Sequence, residues 1–325
     1  MPESTELVEY NGKFYGMTQG GGTGEGGVIF EWDPVTNAYT SKFNFVGMTG
    51  CTPLGSLTLS GGKFYGMTRS GGNLNQGVIF EWDPHTNIYT KKIDFSYANG
   101  ATPYGSLVSY AGKLYGMTYG GGSNGYGVIF EWDPATNEYT KKFDFDYNLG
   151  SNPMGDLTVY NGKLYGMASQ GGDYGYGVIF EWDPATNSPT RLFSFNNTLG
   201  KNPYGSLTIV DGKLYGTTNQ GGSSGLGVIF EWNPATNVYS KKIDLTNADG
   251  SYPYCTLTEY GGNLYGTTSL GGSASHGVLF EWNPVTNVYT KITDFESVKG
   301  AHPQSGLTAS GGKLYGMTRL GGSTS

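Results

Sequence analysis

Hydrophobic and polar positions repeat along this chain with a constant step of 50 residues. All six tryptophans keep that step: Trp32, Trp82, Trp132, Trp182, Trp232 and Trp282. The chain therefore divides into six units and a half unit: 1–50, 51–100, 101–150, 151–200, 201–250, 251–300 and 301–325. Such self-similarity indicates a tandem array of one supersecondary unit, and we expect the whole of 1–325 to form a single domain.

Each unit alternates short apolar runs with turn residues. In residues 101–150 the pattern predicts four strands, namely Gly105–Tyr110, Lys113–Thr118, Val128–Trp132 and Tyr139–Phe145. The first two are joined by Ala111-Gly112, at a position that holds Asn-Gly or Asp-Gly in other units, which is the strongest short hairpin signal. No segment has helical periodicity or helix caps. Four short antiparallel strands in about 50 residues are typical of a blade of an all-β β-propeller.

The segment from Asn161 to Thr190 carries a recognisable motif. Its Asn-Gly-Lys-Leu-Tyr-Gly strand, Gly-Gly pair and Trp-Asp-Pro-Ala-Thr-Asn turn resemble a kelch repeat and, more closely, the bacterial GloVer tandem repeats. The resemblance covers the full chain and implies a β-propeller in a secreted or surface-anchored protein. The Gly-Met-Thr sequence after the tyrosine departs from kelch. Kelch folds serve enzymes and adaptors alike, so the fold does not decide the function.

The half unit leaves the number of blades open. The chain starts with a first–second strand pair and ends with another at 306–318. One interpretation is seven blade positions with a half-built seventh, which we favour because every apolar strand then has a packing partner. The other is six blades with one terminal pair displaced or exchanged between chains. Either arrangement could leave a strand edge that docks a partner or another copy.

Composition narrows the function classes. The formal net charge is −7 and the lysines recur at scaffold positions, which argues against nucleic acid and anionic membranes as partners. Cys51 and Cys255 lie at different unit positions, so we expect no disulfide. No apolar run is long enough for membrane insertion, and the polar first residues do not look like a signal peptide. We expect an extracellular or cell-surface location, with a cytoplasmic one as the alternative.

Differences between the units point to the functional residues, because scaffold positions should be the same in every blade. The hairpin turns and Asp-Pro turns hardly change, whereas the second-to-third-strand loops and the inter-blade connections vary. In a four-stranded antiparallel blade these two loop classes emerge at the same end. We therefore expect one monotonous face and one diversified face.

Tyrosine is concentrated in the varying loops. The candidate ligand-binding residues are Tyr97, Tyr104, Tyr119, Tyr126, Tyr147, Tyr174, Tyr176, Tyr204 and Tyr254. Tyrosine beside serine, glycine and asparagine is a binding-surface composition that suits a glycan or a protein ligand. The alternative is that a tyrosine after proline, such as Tyr104 or Tyr204, simply packs the mouth of a blade.

Catalysis and metal binding have weaker support. Asp156 stands where most units have serine and Asp173 lies in the next varying loop, so this pair is a weak candidate for acid/base glycoside chemistry. Other one-off residues are Glu25, Arg69, Arg319, His276 and His302. The glutamates beside each tryptophan should be structural, and Asn233 and Asn283 replace the turn aspartates, which disfavours a repeated metal site. We expect no metal and no cofactor.

Three hypotheses follow. The first is a non-enzymatic binding propeller, secreted or displayed, that takes a glycan or protein on its tyrosine-rich face. The second is a structural or self-assembling extracellular protein, with the half unit or flat faces packing copies together. The third is a glycan-cleaving enzyme that uses Asp156 or a neighbour.

Overall fold

The computed structural model describes residues 5–322. The chain groups into two compact units. The N-terminal unit comprises residues 5–146 and 152–157, and the C-terminal unit comprises residues 147–151 and 158–322. The division falls close to the boundary between the third and fourth sequence repeats, at residues 147–157.

The N-terminal unit contains three four-stranded antiparallel sheets. The first sheet consists of β1 (Val8–Tyr10), β2 (Lys13–Thr18), β3 (Val28–Asp33) and β4 (Ala38–Asn44). The second consists of β5 (Thr58–Ser60), β6 (Lys63–Thr68), β7 (Val78–Asp83) and β8 (Ile88–Asp94). The third consists of β9 (Val108–Tyr110), β10 (Lys113–Met117), β11 (Val128–Asp133) and β12 (Glu138–Asp144). A short 3₁₀ helix, Gly47–Thr49, lies between the first two sheets.

The C-terminal unit contains three further four-stranded sheets and a two-stranded one. The fourth sheet consists of β13 (Thr158–Tyr160), β14 (Lys163–Ala168), β15 (Val178–Asp183) and β16 (Ser188–Ser194). The fifth consists of β17 (Thr208–Val210), β18 (Lys213–Thr218), β19 (Val228–Asn233) and β20 (Val238–Asp244). The sixth consists of β21 (Thr258–Tyr260), β22 (Asn263–Thr267), β23 (Val278–Asn283) and β24 (Val288–Asp294). The two-stranded sheet consists of β25 (Thr308–Ser310) and β26 (Lys313–Tyr315).

Sequential strands pair with each other in every sheet, as blades of a β-propeller do. The predicted all-β propeller class is confirmed, and the complete blades number six. The hairpin turns also have the predicted conformation, since both turn residues have positive φ, as in Asn161 (48°) and Gly162 (79°). Among the described residues, no helix has the length and hydropathy that crossing a membrane requires.

The first strands are shorter than the sequence predicts, because pairing begins at Val108 rather than Gly105. The residues before it hydrogen-bond to the neighbouring sheet instead. The Ser56 N–H donates to Ser106 Oγ at 2.8 Å, and the Thr58 hydroxyl donates to the Leu107 carbonyl. Ser56 and Thr58 therefore form hydrogen bonds between neighbouring sheets rather than between strands of one sheet.

The cores lie between neighbouring sheets. Trp82 and Trp132 are fully buried, and Trp132 packs against Tyr65 of the preceding sheet with ring centroids 5.6 Å apart. In the C-terminal unit Trp282 packs in the same way against Tyr215. The repeated tryptophans are thus scaffold residues, which explains why every sequence unit has one.

The repeated turn and glutamate positions are scaffold as well. Asp133 Oδ1 accepts the Ala135 N–H at 2.8 Å, and Asn233 Oδ1 accepts the Ala235 N–H at 3.0 Å. The aspartate-to-asparagine change therefore keeps the turn. Glu131, in turn, pairs with scaffold lysines of its own sheet.

The two-stranded sheet lies against the sixth sheet. The Thr258 hydroxyl donates to the Leu307 carbonyl at 2.8 Å, and the Leu307 N–H donates to Thr258 Oγ1 at 3.0 Å. Within the described residues, β26 pairs with β25 alone and has no third strand on its other edge. The half unit therefore forms half a blade.

Candidate binding surface in the variable loops

Two loop classes lie together in the N-terminal unit. The second-to-third-strand loops are 19–27, 69–77 and 118–127, and the connections between sheets are 45–57 and 95–107. Gly122 donates its N–H to the Tyr97 carbonyl at 2.7 Å, and Ala101 forms a β-bridge with Gly120. We call these segments the N-terminal variable loops.

The C-terminal unit repeats this arrangement. Its second-to-third-strand loops are 169–177, 219–227 and 268–277, and its connections include 147–151, 195–207, 245–257 and 295–307. Gly222 donates to the Asn197 carbonyl at 3.0 Å, and Lys201 forms a β-bridge with Gln220. We call these the C-terminal variable loops. In each unit, backbone hydrogen bonds therefore join the second-to-third-strand loops to the connections between sheets, so both loop classes emerge at the same end of the sheets.

A strained backbone position recurs in both loop sets. Thr52, Thr102, Tyr252 and His302 all have φ between 50° and 60°, a region that such side chains rarely adopt. Two backbone hydrogen bonds hold Thr102 in this conformation. Its N–H donates to the Gln76 carbonyl, and its carbonyl accepts from the Tyr119 N–H. Asparagine at 152 and 202 signals a left-handed residue, whereas threonine, tyrosine and histidine do not.

Three of the predicted residue positions meet in the N-terminal variable loops. The rings of Tyr104 and Tyr119 are tilted against each other with centroids 4.9 Å apart. Arg69 Cζ lies 5.4 Å from the centroid of the Tyr104 ring. Each side chain comes from a different sequence unit or loop class, so only folding brings them together.

The C-terminal variable loops hold a second ring pair. Tyr204 and Tyr254 stack with centroids 5.1 Å apart and an interplanar angle of 25°. Lys201 Nζ lies 5.4 Å from the ring centroid of Tyr176. Lys201 was not among the residues predicted from the sequence. Its difference from the other units could have indicated it, because the equivalent positions hold cysteine, alanine or serine.

Tyr97 and Tyr147 are positioned by glycines. Tyr97 is 59% exposed, and its hydroxyl covers Gly125 so closely that a Cβ there would lie 2.6 Å from it. Tyr147 covers Gly175 in the same way, at 2.8 Å. These two tyrosines are therefore both exposed and held against a loop. The rings of Tyr126 and Tyr176 are each 37% exposed.

Tyr174 borders an open pocket of about 390 Å³ that is lined also by Asp173, Arg191, Phe193 and Asn196. Arg191 Nη2 forms an ion pair of 2.8 Å with Asp173 Oδ1, and Arg191 also donates to the Asn148 carbonyl. The Asp173 carboxylate is thus neutralised by an arginine of the same sheet. Tyr174 itself is 60% exposed.

Asp156 has the role that serine and threonine have elsewhere. Its Oδ1 accepts the Ser106 N–H, just as Ser106 Oγ accepts from Ser56 and Thr256 Oγ1 accepts from Ser206. The aspartate is therefore a sheet-to-sheet acceptor. Asp156 and Asp173 belong to different units and have separate partners.

Two of the one-off histidines meet in the C-terminal variable loops. The rings of His276 and His302 are perpendicular with centroids 5.3 Å apart. His302 Nδ1 hydrogen-bonds to the Ser269 carbonyl at 2.8 Å, and His276 Nε2 to Ser297 Oγ at 2.9 Å. Within residues 5–322, no group of three or more His, Cys, Asp or Glu side chains could hold a metal ion.

Comparison with known proteins identifies the repeat. A family model described as the Gloeobacter/Verrucomicrobia repeat matches residues 1–168 and 142–325, which together include the whole chain. No match was found among the curated proteins.

Solved structures share the fold at low sequence identity. The extracellular domain of the one-component system BT4673 from B. thetaiotaomicron matches with a TM-score of 0.69 and 13% identity, over 97% of this chain and 37% of that one. A chain of a nidogen/laminin complex matches with a TM-score of 0.58 and 15% identity, over 90% of this chain and 97% of that one. A prolyl endopeptidase matches with a TM-score of 0.55 and 13% identity, over 89% of this chain and 42% of that one. Since these similar structures include an enzyme and a protein complex, the fold alone does not decide the function.

Proposed function

Because the chain belongs to the Gloeobacter/Verrucomicrobia repeat family, whose blades here differ mainly in their loops, we propose that it is a non-enzymatic binding module. The ligand is a glycan or a protein held by the variable loops. The observation that carries this proposal is the set of exposed or half-exposed tyrosines in those loops, together with the ring pairs Tyr104–Tyr119 and Tyr204–Tyr254. Rigid amphipathic rings beside small hydrogen-bonding residues are what binding surfaces use.

A glycan is the first ligand to test, because paired tyrosine rings present flat apolar faces and hydroxyls side by side. Sugar rings have the same combination of C–H faces and hydroxyl edges. Similar blades could also present several weak sites, so a polymeric ligand would gain from multivalency. An extracellular or cell-surface location belongs to this proposal, supported by the shared fold of an extracellular domain.

The test is a broad glycan-array screen of the parent beside a triple variant, Tyr126→Ala, Tyr174→Ala and Tyr176→Ala. The control is Tyr260→Ala, which removes a ring that is 38% exposed but lies outside the variable loops. We expect the parent and the control to bind the same glycans and the triple variant to lose them. Binding that survives in the triple variant would place the site elsewhere, and no glycan binding would leave a protein as the ligand.

Self-association through the half blade is a second candidate function, favoured by one observation. In complete sheets the glycine of the second strand faces the phenylalanine ring of the third strand, since a Cβ at Gly266 would lie 2.5 Å from Phe280 Cζ. At Gly316 the nearest atoms belong to Leu307 alone. A largely apolar recess, lined by Leu279, Leu307, Leu314 and Gly316 among others, therefore lies beside the open edge of β26, where a strand from another copy could fill it.

Particle mass measured against concentration tests this second function. We expect the mass of the parent to rise with concentration and Gly316→Val to stay monomeric, because the valine side chain would push Leu307 into the recess that the added strand would fill. A mass that rises equally in parent and variant would rule out the half blade as the contact. For glycan cleavage there is no comparable observation, because Asp156 accepts a hydrogen bond from the neighbouring sheet and Asp173 pairs with Arg191.

A further inference from the structure

Most lysine and arginine side chains of the described residues form ion pairs with carboxylates. Ion pairs to carboxylates hold fifteen lysine and arginine side chains, including Lys113 and Lys142 on Glu131. Most of these pairs recur at the same positions from sheet to sheet. A lysine or arginine without such an ion pair therefore departs from the pattern of the repeat.

Arg69 and Lys201 are such exceptions. Neither forms an ion pair with any described residue, and both lie in variable loops, one in each unit. At the position of Arg69 the other complete units have Gln19, Tyr119, Ser169, Asn219 and Ser269, and the half unit again has an arginine, Arg319. Their charges are thus not required by the scaffold, in a protein whose net charge is −7.

Each of these cations rests on a tyrosine ring. The Arg69 guanidinium lies over Tyr104 and the Lys201 ammonium over Tyr176, both at 5.4 Å from the ring centroid. A cation–π contact holds the charged group in place without using its N–H donors. The five guanidinium donors and three ammonium donors therefore remain available to a ligand.

We propose that the variable loops bind an acidic polysaccharide, whose sugar units carry a carboxylate or a sulfate. In its own unit, each of Arg69 and Lys201 pairs with an anionic group, and the tyrosine ring beneath it contacts the face of a sugar. This inference rests on the proposed binding function and specifies its ligand class. Charge-assisted hydrogen bonds to fixed cations are the strong polar contacts available to such a ligand.

The chemistry of the two groups distinguishes this ligand from others. A neutral glycan would use the rings but leave both cations unpaired, and an acidic peptide would use the cations without needing the rings. A sugar acid uses both at once. Since the protein as a whole is acidic, a polyanion is attracted only locally, and binding should weaken as salt screens these contacts.

The decisive probes differ in charge alone. We would measure binding of polygalacturonate against its fully methyl-esterified form, and of dextran sulfate against dextran, by calorimetry at low and high salt. The two pairs separate carboxylate from sulfate as the recognised group. Poly-glutamate serves as the acidic polymer without sugar rings.

The variants are Arg69→Gln, Lys201→Gln and the two combined. The matched control is Lys299→Gln, which removes the same charge from a connection between sheets, as Lys201→Gln does, but from a lysine paired with Glu296 at 3.2 Å. We expect the double variant to lose about 10-fold or more in affinity for the acidic glycan, and the control to change less than about 2-fold. Tyr104→Leu should weaken glycan binding and leave any poly-glutamate binding unchanged.

Four results would overturn the inference. They are equal binding of the esterified and acidic polymers, equal loss in the Lys299 control, poly-glutamate binding that matches the glycan, and no glycan binding at all. The first leaves the proposed glycan-binding function intact and removes only the charge requirement, whereas the last removes both. All variants should keep the parent's melting temperature, because none of these side chains is buried.

Discussion

The Tyr115 hydroxyl donates a hydrogen bond of 2.9 Å to Glu131, which also accepts from Lys113 at 2.6 Å. Lys142 completes the cluster at 3.3 Å. The same contacts recur in the first sheet around Glu31. A nearly buried carboxylate with three partners stabilises the sheet, because each partner offsets part of the cost of removing it from water.

Glu131→Gln should lower the free energy of unfolding by about 1–2 kcal/mol, because the amide keeps an acceptor for Tyr115 but loses both ion pairs. Urea denaturation at neutral pH measures this. Glu138→Gln is the control, since Glu138 is exposed and has no ion pair among the described residues. An equal loss in both variants would mean that the cluster contributes no specific stabilisation.

The glutamate clusters should also make stability depend on acidity. Burial alone would raise the pKa of Glu131, but hydrogen bonds from Lys113 and Tyr115 and the charge of Lys142 outweigh it, so the pKa lies below 4.5. The pKa values of Glu31, Glu81 and Glu231 are lowered in the same way. A lowered folded-state pKa stabilises the fold above the unfolded-state pKa, and this contribution is lost as pH falls through the folded-state value.

The stability difference between the parent and Glu131→Gln should therefore be constant from about pH 7 to 5 and shrink below about pH 4.5. Urea midpoints of both proteins across that range measure it. A difference that persists unchanged at lower pH would show that the variant's loss comes from packing and not from the carboxylate's charge.

Scaffold and binding residues should separate under alanine substitution. Trp132 is fully buried and its Nε1 donates to Asn137 at 3.2 Å, so Trp132→Ala should cost about 3–5 kcal/mol. Tyr126 is 37% exposed, so Tyr126→Ala should leave the melting temperature nearly unchanged while weakening ligand binding. If the tyrosine variant proves as unstable as the tryptophan variant, the tyrosines of the variable loops pack the fold and do not form a binding surface.

Local rules predicted the blade, but they do not contain the side-chain contacts of the candidate site. Turn chemistry at Asn161-Gly162 and Asp133 depends on neighbours in sequence, and the structure has both turns. The contact of Lys201 with Tyr176 joins different sequence units, so no local pattern contains it. The role of Asp156 likewise appears only when Ser106 of the neighbouring sheet is in place. What the sequence did reveal was where variation is concentrated, and therefore which loops to examine.

A compensated pair of positions gives the last prediction. Thr217 and Cys255 are both buried in the C-terminal unit, and the Thr217 hydroxyl donates to the Cys255 carbonyl at 3.2 Å. The equivalent positions in the N-terminal unit hold Met117 and Gly155. Methionine at the first position thus occurs with glycine at the second, and threonine occurs with cysteine. The combined side-chain volume of the two positions therefore stays similar.

Thr217→Met alone should destabilise by about 1–3 kcal/mol, because the longer side chain meets Cys255, and Cys255→Gly alone should destabilise by leaving a gap. The double variant should lose less than the sum of the two, with a coupling of at least about 0.5 kcal/mol, because it restores the methionine–glycine combination. Urea denaturation of the parent, the two single variants and the double variant measures the four free energies of unfolding that this double-mutant cycle requires. Losses that simply add would mean that the two positions vary independently, and the matched substitutions between sheets would then need another cause.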